Sequence, residues 1–268
     1  MHRPATVASL LVAAALLAPA APAHAVTRSI SLAARAYGPA VATRDPLSGS
    51  ITGSGVTKVA VQYYSGGAWR GLATTTPSLG RYVVSVYRTN VGVVPYRVRA
   101  LSSTGATLAT SRTIYLRWYK WQNVTTSSTT NATFSVCSIT CLSDQTVSFN
   151  GGSYPHSVDD YGGGSSNPET LVDQYDFHVA SQCARVRYTA GFEAGANSRN
   201  TGTVENITDG NGVSTTNFSA TTPGAGTFAT SGHDLISLRM TSNFYLDADS
   251  TTKAVVIGTL QAYCFAAI

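Results

Sequence analysis

Lys58-Val59-Ala60-Val61-Gln62-Tyr63 is a stretch of alternating side chains that ends at Ser65-Gly66-Gly67, just before Trp69. Alternation with a period of two sends successive side chains to opposite faces of an extended strand. A glycine pair between two such runs is typical of a hairpin turn. The same pattern recurs along Tyr82–Tyr87 and Leu108–Leu116. These stretches predict an antiparallel β-fold in the first half of the chain.

Residues 26–117 as a whole resemble the Ig-like modules of secreted bacterial proteins. A small-residue bend at Ser54-Gly55-Val56 precedes the hairpin, and a strand of sequence YRVRAL follows at 96–101. About seven short strands with frequent turn signals are typical of Ig-like and fibronectin-III-like sandwiches. Long amphipathic helical patterns are absent after Ala25, so we predict an all-β protein.

The first 25 residues have the features of a secretory signal peptide. Arg3 supplies a positive start, Val7–Ala18 form an apolar run, and Ala23-His24-Ala25 is a small-residue cleavage site. The apolar run is shorter than the roughly 20 residues that a membrane-spanning helix needs. We therefore expect a secreted, extracellular protein that is not embedded in a membrane, with cleavage after Ala25.

Charge divides the remaining chain into two parts. Residues 26–117 hold eleven basic side chains and one acid, Asp45, whereas residues 118–268 hold six basic side chains and twelve acids. This shift predicts a domain boundary near residue 117. Arg97 and Arg99 share one face of a strand, and the basic excess predicts either contact with a polyanion or a solvated surface. Nucleic acid is the weaker partner, because no regular series of aromatic platforms is visible.

The second half, residues 118–268, opens with Trp118-Tyr119-Lys120-Trp121 and has the composition of a jelly-roll sandwich with long loops. We expect seven strands in it. They lie at Thr146–Asn150, Val172–Val179, Ala184–Phe192, Gly202–Ile207, Val213–Phe218, Leu235–Thr241 and Ala254–Tyr263.

Several short motifs follow one another in this half: Thr189-Ala190-Gly191-Phe192-Glu193, Asp209-Gly210 and the run from Ser231 to Leu238. Over roughly residues 122–266 their order resembles the novel putative carbohydrate-binding module (NPCBM) family. The resemblance implies a jelly roll that binds galactose-type glycans. Where the family has an Asp followed by a Trp, this chain has Tyr245-Leu246-Asp247-Ala248-Asp249. A stacking aromatic is missing there.

Two segments of the second half hold candidate ligand-binding residues. Tyr154, His156, Asp160 and Tyr161 lie in a Gly-rich segment that we expect to be a loop, where they contact a sugar or fill a local gap. Tyr245 and Asp247 form the second candidate. Phe244 and Tyr245 either face a ligand or lie in the core, and the core is favoured for both. Asp247 and Asp249 also offer carboxylate oxygens to a calcium ion, although two carboxylates supply only part of its shell.

All four cysteines, Cys137, Cys141, Cys183 and Cys264, lie in the second half. An even number in an exported protein predicts disulfides, and four cysteines permit three pairings. Proximity in the sequence favours a Cys137–Cys141 bridge, which leaves Cys183 and Cys264 to join two strands. A zinc site is not expected, since the first pair has no second pair of cysteines or histidines near it.

Motifs of catalysis are absent from the sequence. It contains no Gly-x-Ser-x-Gly elbow and no His-Glu-x-x-His, and its acids lie mostly in Gly/Ser-rich turns. We therefore expect a non-catalytic binding protein without a cofactor, calcium excepted, that recognises a glycan or cell-wall polymer. The alternative is a structural or adhesive surface protein that binds another protein.

Overall fold

The computed structural model describes residues 27–124, 132–137, 140–149, 152–161, 169–179, 182–230, 233–245 and 254–268. Strands make up nearly all the regular structure of these residues, which confirms the all-β prediction. The predicted signal peptide lies outside them. Within the described residues, no helix is long and apolar enough to cross a membrane.

The first sandwich contains nine strands in two antiparallel sheets. The strands are β1 (Ser29–Ile30), β2 (Ala33–Ala34), β3 (Arg44–Thr52), β4 (Lys58–Ser65), β5 (Ala68–Thr75), β6 (Arg81–Tyr87), β7 (Gly92–Leu101), β8 (Thr107–Thr110) and β9 (Ile114–Trp118). In one sheet β3 pairs with β1, β2 and β6, and in the other the order is β5-β4-β7-β8, with β9 also on β7.

Alternating side chains build the core between these two sheets. Tyr82, Val84 and Val86 of β6 are buried, as are Tyr96, Val98 and Ala100 of β7. Arg97 and Arg99 lie on the outer face of β7, as predicted. The single strand predicted at Leu108–Leu116 is wrong, because β8 ends at Thr110 and β9 begins at Ile114. Between them the hydroxyl of buried Ser111 accepts the Val98 N–H at 3.0 Å.

Eleven strands lie within the described residues of the second sandwich. They are β10 (Lys120–Asn123), β11 (Thr133–Val136), β12 (Thr140–Phe149), β13 (Gly152–Tyr161), β14 (Glu169–His178), β15 (Cys183–Phe192), β16 (Thr201–Thr208), β17 (Asn211–Ser219), β18 (Gly224–Ala229), β19 (Leu235–Phe244) and β20 (Ala254–Cys264). One sheet has the order β12-β13-β20-β15-β18 with β10 also on β20, and the facing sheet has the order β11-β14-β19-β16-β17.

A disulfide joins two central strands of the larger sheet. Cys183 at the start of β15 is bonded to Cys264 at the end of β20, which confirms the predicted pair. The two cysteines are 81 positions apart, and a bridge that closes so long a loop removes much conformational entropy from the unfolded chain. Cys137 is also disulfide-bonded. The side chain of its predicted partner, Cys141, lies outside the description.

The two sandwiches are joined by one extended segment. β9 ends at Trp118, whose indole is fully buried in the first core, and β10 begins at Lys120, so that Tyr119 alone separates them. The backbone around Tyr119 also pairs with residues 37–41, since the Val41 N–H donates to the Tyr119 carbonyl at 2.8 Å. Because β10 belongs to the larger sheet of the second sandwich, the outer surface of that sheet begins directly at the junction.

Candidate functional site

A β-bulge in β20 decides which side chains face outward near the junction. Before the bulge Val255 and Ile257 lie in the core, and after it Leu260 and Ala262 do. The register between β15 and β20 shifts in this interval, and Thr259 has a φ of 52°. An extra residue in one strand moves every later side chain to the other face.

Gln261 and Tyr263 are the side chains that this shift turns outward. They form, together with Trp121 of β10 and Arg187 of β15, what we call the junction platform. Trp121 lies directly across from Tyr263, and Arg187 directly across from Gln261. All four side chains are partly exposed.

The aromatic rings of this surface form a continuous row. The ring centroids of Trp121 and Tyr263 are 5.1 Å apart, and Tyr119 stacks on Tyr263 at 5.0 Å with an interplanar angle of 16°. Phe265 meets Tyr119 edge-on at 5.5 Å. Offset and edge-to-face pairs of this kind hold rings in a fixed orientation.

Polar groups frame the rings. The Arg187 guanidinium lies 4.3 Å from the centre of the Trp121 ring, and its Nε donates to Gln261 Oε1 at 2.9 Å. Gln261 Nε2 in turn donates to Asn123 Oδ1 at 2.8 Å. This chain of hydrogen bonds fixes the orientation of the amides and of the guanidinium that lies over the indole before any ligand arrives.

Two grooves flank Trp121. One of about 610 Å³ is lined by Asn90 of the first sandwich and by Lys120, Gln122, Asn123 and Gln261 of the second. The other, of about 440 Å³, lies along Tyr119, Tyr263 and Arg185. Grooves of this size accommodate small ligands or single units of a polymer.

Electrostatics at the platform are governed by partial burial and by basic neighbours. Burial raises the pKa of Tyr263, and the nearby positive charge of Arg185 opposes that shift. The Tyr263 hydroxyl therefore stays protonated at neutral pH. It can both donate and accept a hydrogen bond.

The segment predicted to be a ligand-binding loop is a strand. Tyr154, His156, Asp160 and Tyr161 all belong to β13, whose far end pairs with β20 from Val158 onward. The loop prediction is wrong, because Gly152–Tyr161 form a strand that pairs antiparallel with β12. Tyr154 packs against Ala254 and Val256. The side chains of His156, Asp160 and Tyr161 lie outside the description.

Tyr245 lies on the opposite sheet, just after β19. The Arg199 guanidinium is 4.1 Å from the centre of the Tyr245 ring. The backbone N–H of Tyr245 donates to Asn200 Oδ1 at 2.8 Å. Phe244 beside it is buried against Phe192, as expected. Tyr154 and Tyr245 therefore belong to different sheets.

Asp247 and Asp249, the predicted calcium ligands, lie outside the described residues. Asp247 was also predicted to contact a sugar, and that prediction therefore lies outside them too. Within the described residues no group of three or more His, Cys, Asp or Glu side chains is arranged to hold a metal ion. Two histidines there contact single carboxylates: His233 Nδ1 lies 2.7 Å from Asp209 and His178 Nδ1 lies 3.4 Å from Asp234. The hydrogen bond from His233 lowers the pKa of Asp209.

Trp121, Arg187, Gln261 and Tyr263 were not identified as site residues from the sequence. Two signals were present: the aromatic cluster Trp118-Tyr119-Lys120-Trp121, and the Gln-x-Tyr pattern at 261–263. Neither signal shows which strands are neighbours. The platform depends on strand pairing between residues more than 130 positions apart, such as Asn123 and Gln261.

No protein-family model matches the chain, and no curated protein matches it. Among solved structures it is similar to CBM51-2 with INT domains of Clostridium perfringens ZmpB, in complex with GlcNAc (TM-score 0.35, 8% identity, 64% of this chain and 39% of that one). A second is CBM51 of C. perfringens GH95, in complex with methyl-galactose (TM-score 0.33, 13% identity, 48% and 92%). A third is the CBM36-1 domain of a multidomain xylanase from the hindgut metagenome of Trinervitermes trinervoides (TM-score 0.25, 18% identity, 52% and 100%). At these TM-scores the fold assignment rests on the strands themselves.

Proposed function

We propose that the protein is a secreted, non-catalytic glycan-binding protein and that the junction platform is its binding site. The observation that carries this proposal is the partly exposed Trp121–Tyr263 pair, framed by the fixed polar groups of Arg187, Gln261 and Asn123. A sugar ring has an apolar C–H face and a rim of hydroxyls. An aromatic surface with amide and guanidinium groups at its edge is complementary to both.

Preorganisation supports the same function. The side chains are held by stacking and by hydrogen bonds to one another, so a ligand does not have to order them on binding. The adjoining groove of about 610 Å³ adds Lys120, Gln122 and Asn90 as further hydrogen-bonding groups. Galactose-type glycans and cell-wall polysaccharides are the classes to test first.

A glycan array probed with the mature chain, starting at Val26, tests the proposal. We expect binding to galactose-containing glycans or wall polysaccharides, and we expect Trp121→Ala to weaken it about 30-fold, since loss of a central tryptophan typically costs about 2 kcal/mol. Trp121→Phe keeps an aromatic face and retains most of the affinity. Titration calorimetry on the strongest array ligand measures both.

The control for this experiment is Tyr245→Ala, which removes an aromatic side chain on the opposite sheet. It leaves binding unchanged if the junction platform is the site. Loss of binding in Tyr245→Ala with full binding in Trp121→Ala would instead place the site among the residues predicted from the sequence. No binding to any glycan on the array contradicts the proposed function.

The finer predictions from the sequence remain proposals beside this one. They are the NPCBM-type identity of the second sandwich, the bacterial Ig-like identity of the first, and calcium binding by Asp247 and Asp249. A calcium-dependent rise in the melting temperature that Asp247→Asn abolishes would support the last. An unchanged melting temperature in the presence of millimolar calcium contradicts it.

A further inference from the structure

The first sandwich contains a second surface built like the junction platform. We call it the first platform, and it consists of Trp69 on β5, Gln62 and Tyr64 on β4, and Arg97 on β7. Gln62 lies directly across from Arg97, and Tyr64 directly across from Trp69. The junction platform has the same arrangement on β10, β20 and β15, with a Gln-x-Tyr pattern on the middle strand of both.

The contacts agree as closely as the strand positions. The Arg97 guanidinium lies 4.2 Å from the centre of the Trp69 ring, against 4.3 Å for Arg187 and Trp121. Arg97 Nε donates to Gln62 Oε1 at 2.9 Å, the same distance as in the other platform. The Tyr64 and Trp69 ring centroids are 5.4 Å apart.

A register shift accompanies each platform. The pairing of β4 with β5 shifts between Val61 and Gln62, and the pairing of β15 with β20 shifts between Arg187 and Thr189. Bulges re-aim side chains and are common next to binding sites. The first platform is therefore a built surface in the same sense as the junction platform.

Charge distinguishes the first platform and points to its ligand. Asp45 is the only acid in residues 26–117, and it is buried. The ion pairs among the described residues all lie in the second sandwich, and no described carboxylate contacts Arg97 or Arg99. Arg99 lies two residues from Arg97 on the same face of β7 and is oriented by Thr107, to which its Nε donates at 2.9 Å. A guanidinium fork that is oriented but unpaired matches a carboxylate.

We propose that the first platform is a second binding site and that it takes an acidic polysaccharide, a chain of pyranose rings bearing carboxylates. Trp69 and Tyr64 contact a sugar ring, and Arg97 and Arg99 contact its carboxylates. The two platforms then hold one polymer at two points, so that binding at one raises the effective concentration of chain at the other. This two-point binding rests on the proposed function of the junction platform.

Three immobilised polymers test the inference with the full mature chain. Polygalacturonate has both rings and carboxylates, neutral galactan has rings alone, and polyphosphate has charge alone. We expect the tightest binding to polygalacturonate. Trp69→Ala should weaken it about tenfold, and Arg97→Gln with Arg99→Gln should weaken it at least as much and reduce its dependence on salt. Trp69→Phe should restore most of the binding.

Arg44→Gln with Arg81→Gln is the matched control. Both arginines are exposed on the other sheet of the same sandwich, and their replacement also removes two positive charges. We expect this variant to bind like the wild type. Equal losses in the two double variants, or binding to polyphosphate as tight as to polygalacturonate, would show a general charge effect and overturn the inference.

Comparison with Trp121→Ala separates this inference from the proposed function. A loss of polygalacturonate binding in both Trp69→Ala and Trp121→Ala supports two-point binding. If Trp121→Ala alone weakens it, the proposed function stands and the second site is overturned. If Trp69→Ala alone weakens it, the second site stands and two-point binding is overturned, while the glycan array with Trp121→Ala decides the junction platform separately. Melting temperatures of all variants within a few degrees of the wild type confirm that each is folded.

Discussion

Asp45 is the residue whose charge is most at odds with its surroundings. It is 4% exposed in the core of the first sandwich, although every other ionisable group of residues 26–117 apart from tyrosines is basic. Burial raises the pKa of Asp45, while a hydrogen bond from the Ala36 N–H and the charge of Arg35 act in the opposite direction. Because burial is the largest of these effects, the ionised carboxylate destabilises the fold.

Replacement of Asp45 by Asn tests this conclusion. An acid whose pKa is higher in the folded state binds more protons there, so its contribution to stability falls as pH rises above the ordinary value of 3.8. We expect Asp45→Asn to gain stability relative to the wild type between pH 3 and pH 7. Urea unfolding at both pH values measures the difference. If Asp45→Asn were instead less stable than the wild type, and the loss were larger at pH 7 than at pH 3, the ionised carboxylate would be shown to stabilise the fold.

At the scale of the element, bulges and glycines determine what each strand presents. The ring of Tyr188 packs against Gly226 of β18, and the ring of Phe218 packs against Gly202 of β16. Neither glycine position therefore has room for a side chain. The residues of β18 alternate between buried and exposed positions, but its glycines and alanines do not show this alternation in the sequence. Thr259 in β20 adopts the left-handed backbone region, which is costly for a β-branched residue.

Thr259→Gly tests the cost of this bulge. A left-handed conformation costs a non-glycine residue roughly 1–2 kcal/mol, and glycine avoids this cost. Glycine also makes the unfolded chain more flexible, which offsets roughly 0.5–1 kcal/mol of the gain in stability. We expect a net gain of roughly 0.5 kcal/mol in the free energy of unfolding. Chemical denaturation measures it, and Thr259→Ala, which keeps the strain, should show no gain. A clear loss of stability in Thr259→Gly would mean that the threonine side chain is needed at the bulge.

Over the whole molecule, Tyr119 is the side chain on which the relation of the two sandwiches depends. It stacks on Tyr263 and contacts Phe265, and a side-chain carbon on Gly38 would lie 2.9 Å from its Cε2 atom. The first sandwich thus packs against Tyr119 on one side and the second on the other. The basic first half therefore meets the second through aromatic packing and not through ion pairs among the described residues.

Tyr119→Ala should loosen this junction. The backbone hydrogen bonds at residues 117–119 remain, but the ring contacts to both sandwiches are lost. We expect small-angle scattering of residues 26–268 with Tyr119→Ala to show a larger maximum dimension and a broader distance distribution than the same residues of the wild type. Tyr115→Ala, at a tyrosine 59% exposed on β9, serves as the control. Identical scattering curves for all three proteins would show that the extended segment alone fixes the orientation.

The sequence by itself determined the all-β class and the outward position of Arg97 and Arg99, and it favoured the Cys183–Cys264 pair among three possible pairings without deciding it. Alternation is a local property, since successive side chains of any strand point to opposite faces. Only the tertiary structure decided which strands are neighbours, that residues 152–161 are a strand, and that the bulge at Thr259 turns Gln261 and Tyr263 outward. Both platforms are assembled across strands that are distant in sequence, and pairing of that kind depends on the packing of the whole sheet.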